Sequence, residues 1–104
     1  MLSATTNVHD GRVDRDFLGS IAFGVVVGPD GDVYVVDTGN NRVQRFDPDG
    51  TFVDAFGGPG SGNGQLNGPG DIDVTSTGNL VVTDGINSRV QEFTADGTFV
   101  RTWP

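Results

Sequence analysis

The amino-acid sequence predicts an all-β protein built from two copies of a four-stranded antiparallel unit. The first observation is an internal repeat, because "DTGNNRVQRFDPDGTFV" at residues 37–53 returns 47 residues later as "DGINSRVQEFTADGTFV". The second is that apolar residues follow the period of strands, and no segment has the three-and-four spacing of a helix. The third is that glycine-containing turns separate these short runs. A fixed period of this length indicates that one supersecondary unit has been copied.

The repeat continues without a gap through most of the chain. Aligning residues 24–56 with residues 71–103 gives 14 identities in 33 positions, which chance does not produce. The identical pairs are Val27/Val74, Gly31/Gly78, Val35/Val82, Asp37/Asp84, Asn40/Asn87, Arg42/Arg89, Val43/Val90, Gln44/Gln91, Phe46/Phe93, Asp49/Asp96, Gly50/Gly97, Thr51/Thr98, Phe52/Phe99 and Val53/Val100.

Short β-branched and aromatic runs predict four strands in each copy. In the first copy they are "FGVVVG", "DVYVVD", "RVQRF" and "TFVDAF", and in the second "DIDVT", "NLVVTD", "RVQEF" and "TFVRTW". The turns "PDG" and "ADG" before the fourth strand contain the glycine that supplies a positive φ. Four strands at this period are the signature of a propeller blade. We therefore predict an N-terminal arm over 1–19, blade 1 over 20–57, a glycine-rich link over 58–70 and blade 2 over 71–104.

Both copies resemble the NHL repeat. Its motif has a glycine, an apolar pair, an aspartate, small residues, Asn-Arg-Val, an aromatic residue and Asp-Gly, followed by a glycine-rich link. The pattern D-x-x-N-x-R-V stands at Asp37–Val43 and again at Asp84–Val90, and the resemblance covers about residues 20–104. It implies an NHL-like β-propeller, usually of six blades.

The repeated polar residues have a structural explanation that requires no ligand. Each Asp ends the second strand of its copy and each Arg begins the third, so the Asp is expected to accept from turn amides and to form a bidentate pair with the Arg. The Asn between them suits a left-handed turn position. The alternative is a recurrent metal or ligand site. These turn residues are Asp37, Asn40, Arg42, Asp84, Asn87 and Arg89.

A row of aromatic residues along the outermost strands, Phe52, Phe56, Phe99 and Trp103, is expected to belong to the core rather than to stack on a nucleobase. The repeated apolar residues are expected to pack between adjacent blades. They are Val27, Val35, Val43 and Phe46 with their counterparts Val74, Val82, Val90 and Phe93.

The charge balance excludes several classes of partner. The chain has a net charge of −8, with 14 acidic residues of which only Glu92 is a glutamate, six arginines and no lysine. Nucleic acid and anionic membranes attract clustered cations, so neither is expected as a partner. The excess of aspartate is typical either of proteins from high salt or of a chain rich in turns. The N-terminus has no basic-then-apolar signal pattern, which favours a soluble, cytoplasmic protein.

Catalytic residues are scarce, so we expect a protein that is not an enzyme and has no cofactor. His9 is the single histidine and there is no cysteine. A zinc site needs several convergent ligands and a nucleophile needs an adjacent base, so neither is expected. Among NHL-like folds an amidating lyase uses several histidines around a metal, which this chain lacks. Asp71 and Asp73, on the predicted inner strand, are candidates for a cation in a central channel. A metal-dependent hydrolase or lyase using such carboxylates is the alternative function.

The N-terminal arm contains a third, partial match to the repeat. "DGRVDRDFLG" at Asp10–Gly19 matches "DGTFVDAFGG" at residues 49–58, shifted by 39 rather than 47 positions because the following link is shorter. The match predicts an orphan outer strand that pairs with the last blade of a neighbouring subunit. The alternative is a frayed terminal arm.

Two blades cannot close a ring, since each blade is stabilised only by its neighbours. Head-to-tail association of identical chains closes a ring when the rotation allows it. Six blades predict a homotrimer, with a tetramer or a dimer as alternatives. The expected function is a non-catalytic structural or binding scaffold, and a fragment or engineered propeller without its own function is the third possibility.

Overall fold

Two four-stranded antiparallel sheets contain the two sequence repeats. The computed structural model describes residues 8–9, 12–13 and 22–104 of the chain. After the short strands β1 (Val8–His9) and β2 (Arg12–Val13), residues 22–57 form blade 1 and residues 69–103 form blade 2, each with four strands in sequential order. The bounds are Ala22–Val27 (β3), Val33–Asp37 (β4), Arg42–Phe46 (β5), Phe52–Gly57 (β6), Pro69–Val74 (β7), Leu80–Asp84 (β8), Arg89–Phe93 (β9) and Phe99–Trp103 (β10). The predicted all-β class and the two antiparallel meanders are confirmed.

The predicted outer strand over residues 10–19 lies almost entirely outside the described residues. Within it only β2, Arg12–Val13, is described, and it pairs antiparallel with β1, Val8–His9. The orphan-strand latch therefore stays a prediction. Among the described residues, no helix is long and apolar enough to cross a membrane.

The turns confirm the predicted glycines and correct the predicted asparagines. Gly50 and Gly97, each just before the fourth strand of its blade, have φ of +87° and +89°. The prediction of a left-handed φ for Asn40 and Asn87 is wrong, because the left-handed residues are their successors Asn41 and Ser88, both with φ of 54°. In blade 1 a 3₁₀ turn, Thr38–Asn40, precedes Asn41 and places the chain reversal one residue later.

The main hydrophobic core lies between the two blades. Successive side chains of a strand point to opposite faces of the sheet. Tyr34, Val36 and Val43 therefore lie on the face of blade 1 that packs on blade 2, and Phe56 packs against them. Leu66, from the link, is fully buried in the same core. The hydroxyl of Tyr34 also donates to the carbonyl of Ala95 at 3.1 Å, joining the blades by a hydrogen bond. Blade 2 contributes Ile72, Leu80, Val82 and Phe93.

The apolar positions predicted to pack between adjacent blades divide according to strand face. Val43, Val74, Val82 and Phe93 lie in the core between the two blades of this chain. Val35 and Phe46 pack with Val33 and Phe52 on the other face of blade 1. Val27 is 59% exposed and Val90 is half-buried on the face of blade 2 that points away from blade 1, so packing of these two residues between blades stays a prediction. Identical residues thus have different surroundings, because each blade has a different neighbour on each side.

Candidate functional site

Four polar residues form a hydrogen-bonded cluster at the same end of each blade, where the second strand turns into the third. In blade 2 we call it corner 2: Asp84, Asn87, Arg89 and Gln91. Asp84 is fully buried, and its Oδ2 accepts from Arg89 Nε at 2.7 Å, Asn87 Nδ2 at 2.9 Å and Gln91 Nε2 at 3.2 Å. The carboxylate is thereby surrounded by donors, as a buried charge requires.

Corner 1, in blade 1, has the same arrangement: Asp37, Asn40, Arg42 and Gln44. Asp37 is also fully buried, and its Oδ2 accepts from Arg42 Nε at 2.8 Å, Asn40 Nδ2 at 3.0 Å and Gln44 Nε2 at 3.3 Å. The expected Asp–Arg pairs are present in both corners. They use one guanidinium nitrogen, Nε, rather than the predicted bidentate geometry. The asparagines predicted to shape the turn donate to the carboxylates instead.

The surroundings of Asp84 favour its ionised form. Burial opposes ionisation, but hydrogen bonds from the Asn67 amide, Asn87 and Arg89, together with the charge of Arg89, outweigh it and hold the pKa of Asp84 below its usual range. A carboxyl whose pKa falls on folding stabilises the fold above its unfolded pKa, near 3.8. That stabilisation is lost as the pH falls through the lowered folded pKa.

We therefore expect the free energy of unfolding to fall below about pH 4, with Asp84 responsible for part of the loss. Urea unfolding from pH 7 to pH 3 should show a smaller acid-induced loss in Asp84→Asn than in the wild-type chain. Asp49→Asn, which changes an exposed carboxyl, is the control. An equal acid dependence in Asp84→Asn and wild type would contradict the assignment.

Corner 2 holds the glycine-rich link against blade 2. The Nη atoms of Arg89 donate to the carbonyls of Ser61 at 3.0 Å, Gly62 at 2.8 Å and Gln65 at 2.8 Å. Hydrogen bonds to several carbonyls fix a backbone that has no strand partner, so Arg89 acts as a clamp on the link.

The other members of corner 2 complete the clamp. Gln91 donates from Nε2 to the Gln65 carbonyl at 2.6 Å and accepts from the Gly64 amide at its Oε1 at 2.9 Å. Asn87 Nδ2 donates to the Gly60 carbonyl at 2.9 Å. Asp84 Oδ1 accepts from the Asn67 amide at 2.7 Å. Corner 2 thus binds main-chain donors and acceptors of the link. The side chains of the link take no part in these hydrogen bonds.

Blade 1 fixes the two ends of the same link. The carbonyl of Asn41 accepts from the Gly58 amide at 2.8 Å, and its side-chain Oδ1 accepts from the Gly68 amide at 2.9 Å. Thr38 Oγ1 donates to the Pro69 carbonyl at 2.7 Å. The link is therefore an ordered part of the inter-blade contact.

The face of blade 1 that packs on blade 2 and the equivalent face of blade 2 carry ion pairs of opposite polarity. In blade 1, Arg45 pairs with Asp32 at 2.8 Å and with Asp54 at 3.7 Å. In blade 2 the position of Arg45 is taken by Glu92, which pairs with Arg101 at 3.1 Å and accepts from Asn79 at 2.8 Å. The repeat therefore preserves the ionic contact while exchanging its charges.

The carboxylates proposed for a channel cation are both exposed on β7. Asp71 Oδ1 accepts from the Ile72 amide at 2.9 Å, and Asp73 Oδ1 accepts from the Val74 amide at 2.8 Å. Within the described part of the chain, no three acidic or histidine side chains lie close enough together to hold a metal ion.

Sequence reasoning placed the corner residues at the strand ends but missed their contact with the link. The signal was Gln44 and Gln91, an amide pair repeated in the middle of a strand and fully buried in both blades. A buried amide needs partners for its oxygen and its nitrogen. The pair therefore indicated a further chain segment lying on the sheet.

Meandering four-stranded sheets, packed face to face and joined by a link at one end, define this chain as part of a β-propeller. The family model described as the NHL repeat matches residues 24–46 and 66–93. The chain therefore contains two NHL repeats, as the resemblance implied. No curated protein is similar enough to this chain to count as a match.

Solved structures similar to this chain have the propeller fold. A streptogramin B lyase has a TM-score of 0.67 at 22% identity, over 82% of this chain and 26% of the lyase. A catalytically inactive virginiamycin B lyase from Staphylococcus aureus, solved with quinupristin, has a TM-score of 0.64 at 26% identity, over 78% and 26%. A protein of unknown function from Bacteroides caccae has a TM-score of 0.64 at 14% identity, over 79% and 28%. The chain thus spans about a quarter of the length of these proteins.

Proposed function

We propose that this protein is a non-catalytic propeller unit that assembles head-to-tail with copies of itself and serves as a binding scaffold. Three chains would supply the six blades usual for this kind of propeller. Further blades are needed because a sheet with an apolar face is stabilised by a neighbour on that face.

One observation carries the proposal: apolar residues are exposed where their counterparts in the other blade are covered. Val25 and Val27, on the inner strand of blade 1, are 44% and 59% exposed. Their counterparts are Ile72, which is 6% exposed, and Val74, and both pack in the core between the blades. An additional blade on this face would cover the two valines as blade 1 covers Ile72 and Val74.

The opposite end of the chain offers the second half of such a contact. Trp103 is 41% exposed, and its counterpart Phe56 packs on Phe93 with ring centroids 4.9 Å apart. The face around Trp103 is more polar than its counterpart, because Asp73 and Thr83 stand where blade 1 has Val26 and Val36. We therefore expect a weaker contact between chains than within one, and a particle that dissociates on dilution.

The mass of the native particle tests the proposal. Light scattering over a series of concentrations should approach the mass of three chains, and Val27→Glu should shift the particle to single chains because it places a charge in the contact. Ile86→Glu is the control, since Ile86 is 70% exposed in the turn between β8 and β9. A single-chain mass for the wild type at all concentrations would contradict self-assembly, and a mass of four chains would change only the number of blades.

A second candidate is a lyase or hydrolase, favoured because two of the similar solved structures are lyases. For such an enzyme, the remaining blades would belong to a longer chain or to other copies of this chain. The carboxylates of Asp71 and Asp73 on β7 would bind a catalytic metal ion. Turnover of a streptogramin by the assembled protein, lost in an Asp71→Asn, Asp73→Asn double variant, would favour this candidate over the scaffold.

A further inference from the structure

The turn before the last strand of blade 2, residues 95–97, rests on blade 1, and we call it turn 2. A Cβ added at Gly97 would lie 2.7 Å from the ring of Phe56, so the ring packs directly on this glycine. The carbonyl of Ala95 accepts a hydrogen bond from the hydroxyl of Tyr34 at 3.1 Å. Blade 1 therefore holds turn 2 at both of its ends.

Opposite charges meet at the middle of turn 2. Hydrogen bonds from Thr94 and Thr98 lower the pKa of Asp96, and the positive charge of Arg45 on blade 1 lowers it further. Arg45 is therefore close enough to attract the Asp96 carboxylate across the contact between the blades. An aromatic ring, a hydroxyl and a cation on blade 1 together receive turn 2.

The equivalent turn of blade 1, residues 48–50, has the same conformation, and we call it turn 1. Gly50 has a φ of +87°, against +89° for Gly97, and each glycine amide donates to the carbonyl three residues earlier at 2.9 Å. In turn 1 Pro48 and Asp49 are exposed, and no described atom lies within 4 Å of a Cβ placed on Gly50. Turn 1 therefore presents outward the backbone that turn 2 presents to blade 1.

The face of blade 2 that points away from blade 1 repeats the surface that receives turn 2. Trp103 stands at the position of Phe56, and its side chain is 41% exposed. Val81 stands at the position of Tyr34 and has no hydroxyl, while turn 1 begins with Pro48 instead of an alanine. The two differences match, because an aliphatic side chain on the sheet then meets an aliphatic ring in the turn.

The charges on this face of blade 2 also fit turn 1. Glu92 stands at the position of Arg45 and by itself would repel Asp49. Arg101, on the neighbouring strand, pairs with Glu92 at 3.1 Å, and its side chain is 61% exposed. Its guanidinium carbon lies 5.8 Å from the centre of the Trp103 ring. A cation thus lies next to the ring, although a different strand supplies it than in blade 1.

We propose that this face of blade 2 binds turn 1 of a second copy of the chain, with Trp103 on Gly50 of that copy and Arg101 paired with its Asp49. The inference rests on the proposed self-assembly and names the residues that form the contact. The two surfaces differ and lie on different blades, so the contact is head-to-tail. It lacks the hydrogen bond that Tyr34 makes within the chain, and it is weaker for that reason. Unfolding of dilute single chains does not report on it, so Asp49→Ala stays a neutral substitution there.

The fluorescence of Trp103 tests the contact in the unmodified chain, because it is the only tryptophan. Its emission maximum should move to shorter wavelengths over the same concentrations at which light scattering shows assembly, since the ring leaves water. An unchanged emission in a particle of more than one chain would overturn this contact and leave self-assembly in place. A single-chain mass at every concentration would overturn self-assembly itself, and the contact with it.

Two variants break the contact from opposite sides. Gly50→Asp puts a carboxylate where the ring should pack, and aspartate tolerates the left-handed conformation, so the turn is kept. Trp103→Glu removes the ring. Each variant alone should raise the dissociation constant of the particle at least about tenfold, because it places a charge in the contact. Gly58→Asp is the matched control and should leave assembly unchanged, because Gly58 has a similar φ of +93° and equally open surroundings but lies in the link.

Mixing the two variants restores one contact, since the Gly50→Asp chain keeps Trp103 and the Trp103→Glu chain keeps turn 1. At millimolar concentration the mixture should form a two-chain particle, in which the emission of the remaining tryptophan shifts as in the wild type. A mixture that keeps the single-chain mass and shows no shift, while the wild type assembles, would overturn the pairing of Trp103 with turn 1. A loss of assembly in Gly58→Asp as large as in Gly50→Asp would also overturn it.

Discussion

Replacing Asp84 with alanine is expected to destabilise the chain by about 3–5 kcal/mol, because it removes one partner of a buried ion pair. The carboxylate is fully buried and accepts hydrogen bonds from Arg89, Asn87, Gln91 and the Asn67 amide. Its loss leaves these donors without their acceptor and loosens the link. Urea unfolding at pH 7 measures the change directly.

Asp49→Ala is the control for this variant, since it removes an exposed aspartate from a turn. We expect its effect to lie within about 0.5 kcal/mol, as is usual at the surface. Similar losses in the two variants would show that corner 2 does not hold the link and that the chain responds only to its net charge.

Gly97→Ala is expected to lower the free energy of unfolding by the second largest amount, and Gly50→Ala is its matched control. The two glycines have nearly the same φ, +89° and +87°, so alanine meets the same left-handed strain of about 1–2 kcal/mol at each site. At Gly97 the new Cβ would also lie 2.7 Å from the ring of Phe56 in the other blade. At Gly50 no described atom lies within 4 Å.

The difference between the two variants isolates the contact between blades. Overpacking against Phe56 should make Gly97→Ala worse than Gly50→Ala by about 1–3 kcal/mol in the free energy of unfolding. Adding Phe56→Ala should remove this excess, which a double-mutant cycle measures as a coupling energy. Equal effects of the two alanines would mean that the turn of blade 2 does not pack on blade 1 as described.

The sequence identified the repeat, the eight blade strands and the turn glycines because these features depend on neighbours along the chain. Alternation of apolar residues with period two places the strands, and a glycine before the fourth strand supplies the positive φ. The same local reasoning failed for Asn40 and Asn87. Their side chains donate to buried carboxylates, and the next residues, Asn41 and Ser88, have the left-handed conformation.

Only the tertiary structure determines the contacts and burial of the residues that are identical in the two copies. Arg89 binds the link, whereas Arg42 borders an open groove, although the two arginines stand in the same local sequence pattern. Val74 lies in the core while Val27 is exposed. The physical reason is that the chain sets the faces of each strand locally, but burial depends on what packs against each face. That depends on the neighbouring blade, which is not encoded within the repeat.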